Sequence, residues 1–125
     1  MTMYHDLLMD HYKNPRNFGC KDFDSTTSSH MHNPSCGDKI LLKLKISDNK
    51  IVGVCFDGYG CALSTASASM LTECLKGKTI DEAKSIGVSD ITKILSIDVS
   101  PARLKCATMP LEALHEALKS VEVDK

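Results

Sequence analysis

Lys39-Ile40-Leu41-Leu42-Lys43-Leu44-Lys45-Ile46 places Ile40, Leu42, Leu44 and Ile46 on one face of an extended chain. Ser47-Asp48-Asn49 follows as a turn. Ile51-Val52-Gly53-Val54-Cys55-Phe56, β-branched and apolar, returns as the second strand of a hairpin. The period changes at Gly58-Tyr59-Gly60. Beyond it, Leu63, Ala66, Met70, Leu71, Cys74 and Leu75 recur at helical spacing until Gly77 ends the run.

Toward the N-terminus, Tyr4, Leu7, Leu8 and Tyr12 share a helical face, and Asn14-Pro15 stops that helix because proline disfavours a helical residue before it. Residues 16–33 are rich in Ser, Thr, Asn, Asp and Gly and read as loop, with one short strand near 21–27. Toward the C-terminus, Thr79-Ile80-Asp81-Glu82 has capping-box spacing. A short helix is expected over 90–95. Ser100-Pro101 reads as an N-cap followed by proline at the first helical position, and Leu104, Ala107, Leu111, Leu114 and Leu118 mark the buried stripe of a long last helix. Strands precede most of the helices. The expected class is α+β, a small antiparallel sheet with helices packed on one face, in a single domain over 1–125.

The chain has 125 residues, 25% of them charged and 42% hydrophobic, which is ordinary for a globular domain. A net charge of -1 gives no electrostatic reason to expect nucleic acid or an anionic membrane as partner. No apolar run approaches the roughly 20 residues of a membrane span. The start, Met1-Thr2-Met3-Tyr4-His5-Asp6, lacks the basic and apolar regions of a signal peptide, so a cytoplasmic location is expected. In that compartment thiols stay reduced. The six cysteines are therefore expected to be metal, redox or core residues rather than a disulfide frame.

Three of them sit in settings suited to metal. Cys36 lies in Asn33-Pro34-Ser35-Cys36-Gly37-Asp38, where Gly37 lets the chain bend and Asp38 is two residues on. Cys61 follows Gly58-Tyr59-Gly60 at a strand-to-helix junction, where a helix N-terminus favours a thiolate. Cys106, in Arg103-Leu104-Lys105-Cys106, falls off the apolar stripe of the last helix, so a plain core role fits it poorly. Three thiolates and one carboxylate make a four-ligand site of mixed S and O character. Cys55, in an apolar strand, and Cys74, on a packed helix face, are expected in the core. Cys20, in a polar loop, is compatible with a functional or an incidental surface thiol. His30 and His32 precede Cys36 closely; His32 would have to swing toward the metal to ligate it, and loop histidines are more often solvated.

Four segments in order resemble the iron–sulfur cluster scaffold family, the IscU/SufU group related to the N-terminal domain of NifU. They are His11-Tyr12-Lys13-Asn14-Pro15-Arg16-Asn17, the Cys36 segment, Gly58-Tyr59-Gly60-Cys61-Ala62-Leu63-Ser64-Thr65-Ala66-Ser67 and the Cys106 segment. The resemblance implies a three-stranded sheet with helices packed on it. It implies that Cys36, Cys61 and Cys106 are the functional cysteines and Asp38 the metal-coupled aspartate. It also implies a pyridoxal-phosphate cysteine desulfurase as sulfur donor, with iron–sulfur acceptor or carrier proteins downstream.

Two readings follow from it. In one the chain is a scaffold without turnover, holding Fe2+ transiently and building a [2Fe-2S] cluster on Cys36, Asp38, Cys61 and Cys106. In the other it is a SufU-type, zinc-dependent sulfurtransferase that stimulates its desulfurase. Cys36 and Cys106 are the candidate persulfide acceptors, with Arg103 and Lys105 beside them as candidate charges. Lys105 stands where IscU-type members carry histidine, and 44 residues separate Cys61 from Cys106, a spacing closer to IscU than to SufU. Features of both branches are mixed. A purely structural zinc domain fits least, since its paired short Cys/His spacings are absent.

Overall fold

A computed structural model describes residues 3–33, 37–95, 101–119 and 121, with no account of the side chains at 3–5 and 102–103. The order is α1 (Met3–Lys13), β1 (Thr27–Asn33), β2 (Asp38–Ser47), β3 (Lys50–Tyr59), α2 (Ala62–Leu75), α3 (Ile80–Lys84), α4 (Val88–Leu95) and α5 (Pro101–Lys119). The three strands form one antiparallel sheet in the order β1-β2-β3. The expected α+β class, three-stranded sheet and long C-terminal helix are all present.

The hairpin forms where its pattern places it. Leu42 faces Phe56 and Leu44 faces Val54 across β2 and β3, and all four are buried. Asp48 and Asn49 turn the chain with φ of 53° and 63°, the left-handed pair of a tight hairpin turn. The helices cover one sheet face, α5 over β1 and β2 and α2 over β3, while α1 packs on α2. Leu71, Leu75, Leu114 and Leu118 are almost fully enclosed where α2 and α5 meet the sheet. Thr79 and Glu82 make both bonds of the capping box at the start of α3.

Several expectations need correction. The first sheet strand is not near 21–27 but at Thr27–Asn33. Its inward residues are Thr27 and Ser29, which donate to the carbonyls of Ala117 and Ala113 on α5 at 2.8 and 2.6 Å. Polar side chains that satisfy helix carbonyls replace the apolar alternation that identifies a strand. Cys74 is exposed, because α2 is enclosed nearly all round over Ala66–Thr72 and emerges at Glu73 and Cys74 in its last turn. Cys20 and Cys55 are joined in a disulfide, both buried, because residues 17–23 fold back onto β3. His30 and His32 stand on β1 rather than in a loop, both exposed. The N-cap expectation at Ser100 lies outside the described residues.

The α1–α2 contact is polar at its centre. His11, 5% exposed, meets Ser69 Oγ through Nδ1 at 2.7 Å and Glu73 through Nε2 at 3.4 Å. The backbone N–H of Arg16 donates to the same Ser69 hydroxyl at 2.8 Å. Burial, helped by the charge of Arg16, pushes the His11 pKa below its usual value against the pull of Glu73 and Asp10. The unfolded chain therefore binds a proton near pH 6.5 that the folded chain resists. Stability is full above that pH and falls as pH drops through the window below it. The urea midpoint of the metal-free protein is expected to fall between pH 7.5 and 5.5, and to fall less in His11→Gln.

Candidate metal centre

Three of the four sequence-predicted ligands meet at one end of the sheet. One carboxylate oxygen of Asp38 and the sulfurs of Cys61 and Cys106 all lie within 4.8 Å of one another. Asp38 opens β2, opposite Asn33 on β1, and its side chain turns inward. Cys61 is the N-cap of α2, reached through Gly58-Tyr59-Gly60 at the end of β3. Cys106 sits in the second turn of α5, one turn before Pro110, which lies inside that helix. It is buried at 8% exposure, yet its sulfur is directed at the other two ligands. Cys36, the fourth expected ligand, lies outside the described residues, as does the side chain of Arg103. Lys105 is exposed and lines a mixed cavity with Met31, His32, Asn33, Met109 and Glu112 beside the site.

Glycine allows the close approach. A Cβ built on Gly60 would collide with Ser64 Oγ and stand 3.1 Å from Asp38 Cγ. The Ser64 hydroxyl donates to the Cys61 carbonyl at 3.1 Å, and the Cys61 thiol donates to Ser64 Oγ at 3.7 Å. Gly60→Ala is therefore expected to turn Ser64 away from Cys61. The zinc affinity of the variant should drop by about 10- to 100-fold, as for the loss of a supporting partner. Its melting temperature should fall only by a few degrees, and competition against a chromophoric chelator measures the affinity.

The electrostatics favour a cation. Burial pushes the Cys61 thiol up, as does the nearby Asp38 charge, but hydrogen bonds from the Ser64 backbone and hydroxyl and from Cys106 outweigh them and hold it below the usual thiol value. Asp38 Oδ1 accepts the Cys61 backbone N–H at 3.2 Å. Asp38 Oδ2 is buried and has no hydrogen-bond partner among the described residues. Such an orphan costs about 1–3 kcal/mol, and a bound cation would offset it. Two sulfurs and a partnerless carboxylate oxygen fit a thiophilic divalent ion such as zinc or ferrous iron.

Residues 3–124 match the family described as NifU-like N terminal domain. The chain belongs to that family. This NifU-like domain is 37% identical over 138 aligned positions to the zinc-dependent sulfurtransferase SufU of Bacillus subtilis, covering 97% of the chain and 92% of the relative. It is 36% identical over 127 positions to the iron-sulfur cluster assembly scaffold protein IscU of Buchnera aphidicola subsp. Acyrthosiphon pisum, covering 98% and 97%. Its fold matches a crystal structure described as a putative iron-sulfur cluster assembly scaffold protein for the SUF system from Fervidobacterium islandicum AW-1. There the TM-score is 0.75 and the identity 26%, over 90% of this chain and 94% of the other. The NifU-like domain thus stands among iron–sulfur cluster assembly proteins of both the IscU and SufU types. No helix among the described residues is long and apolar enough to cross a membrane.

Two parts of the setting of Asp38, Cys61 and Cys106 go unmarked in the sequence. Ser64 carries no role in the pattern of the Gly58–Ser67 segment, and its contact with Cys61 has the signal of an i, i+3 pair at a helix start. Ser67 donates to the Ala107 carbonyl at 2.6 Å, tying the helix that starts at Cys61 to the one that carries Cys106. Nothing in the local pattern marks that bond.

Proposed function

We propose that this protein accepts sulfur from a pyridoxal-phosphate cysteine desulfurase in the cytoplasm and presents it, with iron, at Asp38, Cys61, Cys106 and Cys36. The observation that carries this reading is the convergence of Asp38, Cys61 and Cys106 ligand atoms within 4.8 Å of one another, with Asp38 Oδ2 buried and unpartnered among the described residues. Iron and the [2Fe-2S] cluster are cargo here, passed on to acceptor or carrier proteins. A carboxylate binds iron less tenaciously than a thiolate does, so Asp38 gives the cargo one arm that opens easily.

The sulfur step needs a thiolate and an access route. A thiolate of Cys36 or Cys106 attacks the outer sulfur of the desulfurase persulfide. A new S–S bond forms, the donor's S–S bond breaks, and its electron pair leaves on the desulfurase thiolate. Lys105, exposed at the rim, offers positive charge to the incoming persulfide anion, and Arg103 is proposed to do the same.

A second reading is favoured by Lys105 in place of a neutral nitrogen ligand and by the likeness to a protein named a zinc-dependent sulfurtransferase. Zinc, when bound by Cys36, Asp38, Cys61 and Cys106, would keep the cysteine sulfurs deprotonated at neutral pH. The chain's own role is then to release one cysteine for attack while the others hold the site together. One assay separates the readings. Zinc-loaded protein that raises alanine production by a cysteine desulfurase several-fold supports the sulfurtransferase. No stimulation, together with visible cluster bands under anaerobic iron and cysteine, supports the scaffold. Neither response sinks both.

A further inference from the structure

The Cys20–Cys55 disulfide belongs to a different part of the molecule from the metal ligands. Its Cα atoms are 5.6 Å apart, within the normal range for a bridge, and the two residues are 5% and 3% exposed. Cys55 stands opposite Lys43 in the sheet, while its neighbours Val54 and Phe56 stand opposite the core residues Leu44 and Leu42. Alternation therefore puts Cys55 on the sheet face away from α2 and α5. What covers it is a strap, residues 17–23, that crosses from α1 over the outer edge of β3, the edge not paired with β2. Phe23 lies against Gly53 on the same outer face.

Outside the disulfide, two backbone bonds fasten the strap to the edge, and at its start Asn17 Nδ2 donates to Thr72 Oγ1 on α2 at 3.1 Å. The Gly19 N–H donates to the Phe56 carbonyl at 2.8 Å, and the Phe56 N–H donates to the Asn17 carbonyl at 2.9 Å. A ribbon of two such bonds is marginal by itself. Two of its non-glycine residues, Asn17 and Asp22, are held at positive φ, 58° and 62°, at some cost, while Gly19 takes 100° without one. Phe18, 48% exposed, meets Phe56 edge to face at 5.3 Å and walls an apolar groove that runs past Tyr59 to Ser64, the neighbour of Cys61. In a cytoplasmic protein, as proposed above, a disulfide is usually transient, catalytic or redox-sensing rather than a permanent staple.

We propose that Cys20 and Cys55 form a thiol–disulfide switch that fastens this strap. Oxidised, the pair clamps residues 17–23 over the edge of β3 and holds Phe18 at the groove. Reduced, it lets the strap lift, uncovering the Phe56 backbone groups and freeing Phe18. The oxidant is a disulfide of the glutathione class. One protein thiolate attacks it and releases the first small thiol. The second protein thiolate then attacks the mixed disulfide, forms the Cys20–Cys55 bond and releases the second. Two electrons and two protons pass from the protein to the small disulfide. The switch does not depend on which sulfur or metal reaction occurs at Asp38, Cys61 and Cys106.

The test uses the zinc-loaded full chain, prepared without reductant and again with a trialkylphosphine. After unfolding, an alkylating agent should label four of the six cysteines in the first sample and all six in the second. In native hydrogen exchange, the Gly19 and Phe56 amides should exchange about tenfold faster in the reduced protein, with the Leu114 amide of α5 unchanged. Cys20→Ser should reproduce the reduced pattern. If that variant also loses protection at Leu114, its fold has been lost and the reduced wild type decides. Six labelled cysteines before reduction, or equal exchange at Gly19 and Phe56 in the two states, would overturn the switch.

Discussion

Asp38→Ala is expected to give a more stable metal-free protein, a longer-lived iron–sulfur cluster and weaker zinc binding, all at once. The first effect comes from Asp38 Oδ2, buried with no partner among the described residues. Removing it recovers about 1–3 kcal/mol, against roughly 1 kcal/mol for the lost bond from the Cys61 N–H. A net gain of about 1 kcal/mol raises the melting temperature of a domain this size by a few degrees. The second effect follows because the easily displaced carboxylate arm is gone and transfer to acceptors slows. The third follows because a ligand is gone, so zinc affinity should drop more than the roughly 10- to 100-fold seen for loss of a supporting partner. Thermal melting, cluster absorbance decay and zinc competition measure the three. A variant that melts lower and loses its cluster faster would show Asp38 to be a structural residue. A site that costs stability to keep is the expected signature of a functional one.

Cys106→Ser is expected to have the larger effect on function and almost none on the fold. Oxygen replaces sulfur at nearly the same volume in a position only 8% exposed, where the side chain reaches Cys61 and Asp38 rather than filling the centre of the core. A serine hydroxyl is a poor ligand for zinc or iron at neutral pH, so metal should be lost from the purified variant. Sulfur transfer should fall to background as well. If Cys106 is the acceptor, the nucleophile is gone; if Cys36 is, the shared site that presents it has been dismantled. Metal content by mass spectrometry and alanine release by the desulfurase give the two readouts. Full zinc occupancy in this variant would remove Cys106 from the ligand set.

Much of the architecture can be read from residue pattern because burial dictates it. β2 alternates, β3 is a β-branched apolar run, α5 repeats its apolar stripe, and Asp48-Asn49 tolerates the left-handed turn between the strands. β1 escapes such reading. Thr27 and Ser29 face inward to serve helix carbonyls, so the strand looks like the loop before it. Cys74 and the Cys20–Cys55 pair fail for a related reason: helical periodicity cannot say where a helix leaves its neighbours, and a tertiary crossover leaves no local period. In α1 the expected stripe is only partly right, since Leu8 and His11 are buried while Leu7 and Tyr12 are exposed. Cys61 was open to reading because a thiol beside glycine at a helix start invites chemistry, whereas Cys106, expected off the apolar stripe, is buried on the packed side of α5 with the core residues around it.

X-ray absorption at the zinc edge of the metal-loaded protein tests the central claim most directly. The expected result is one shell of three sulfurs at about 2.3 Å with one oxygen at about 2.0 Å, the distances of thiolate and carboxylate ligands. That shell should lose its oxygen or exchange it for water in Asp38→Ala, and lose one sulfur in Cys61→Ser. A shell of nitrogen and oxygen alone, or one unchanged by either substitution, would contradict a shared site built by Asp38, Cys61 and Cys106.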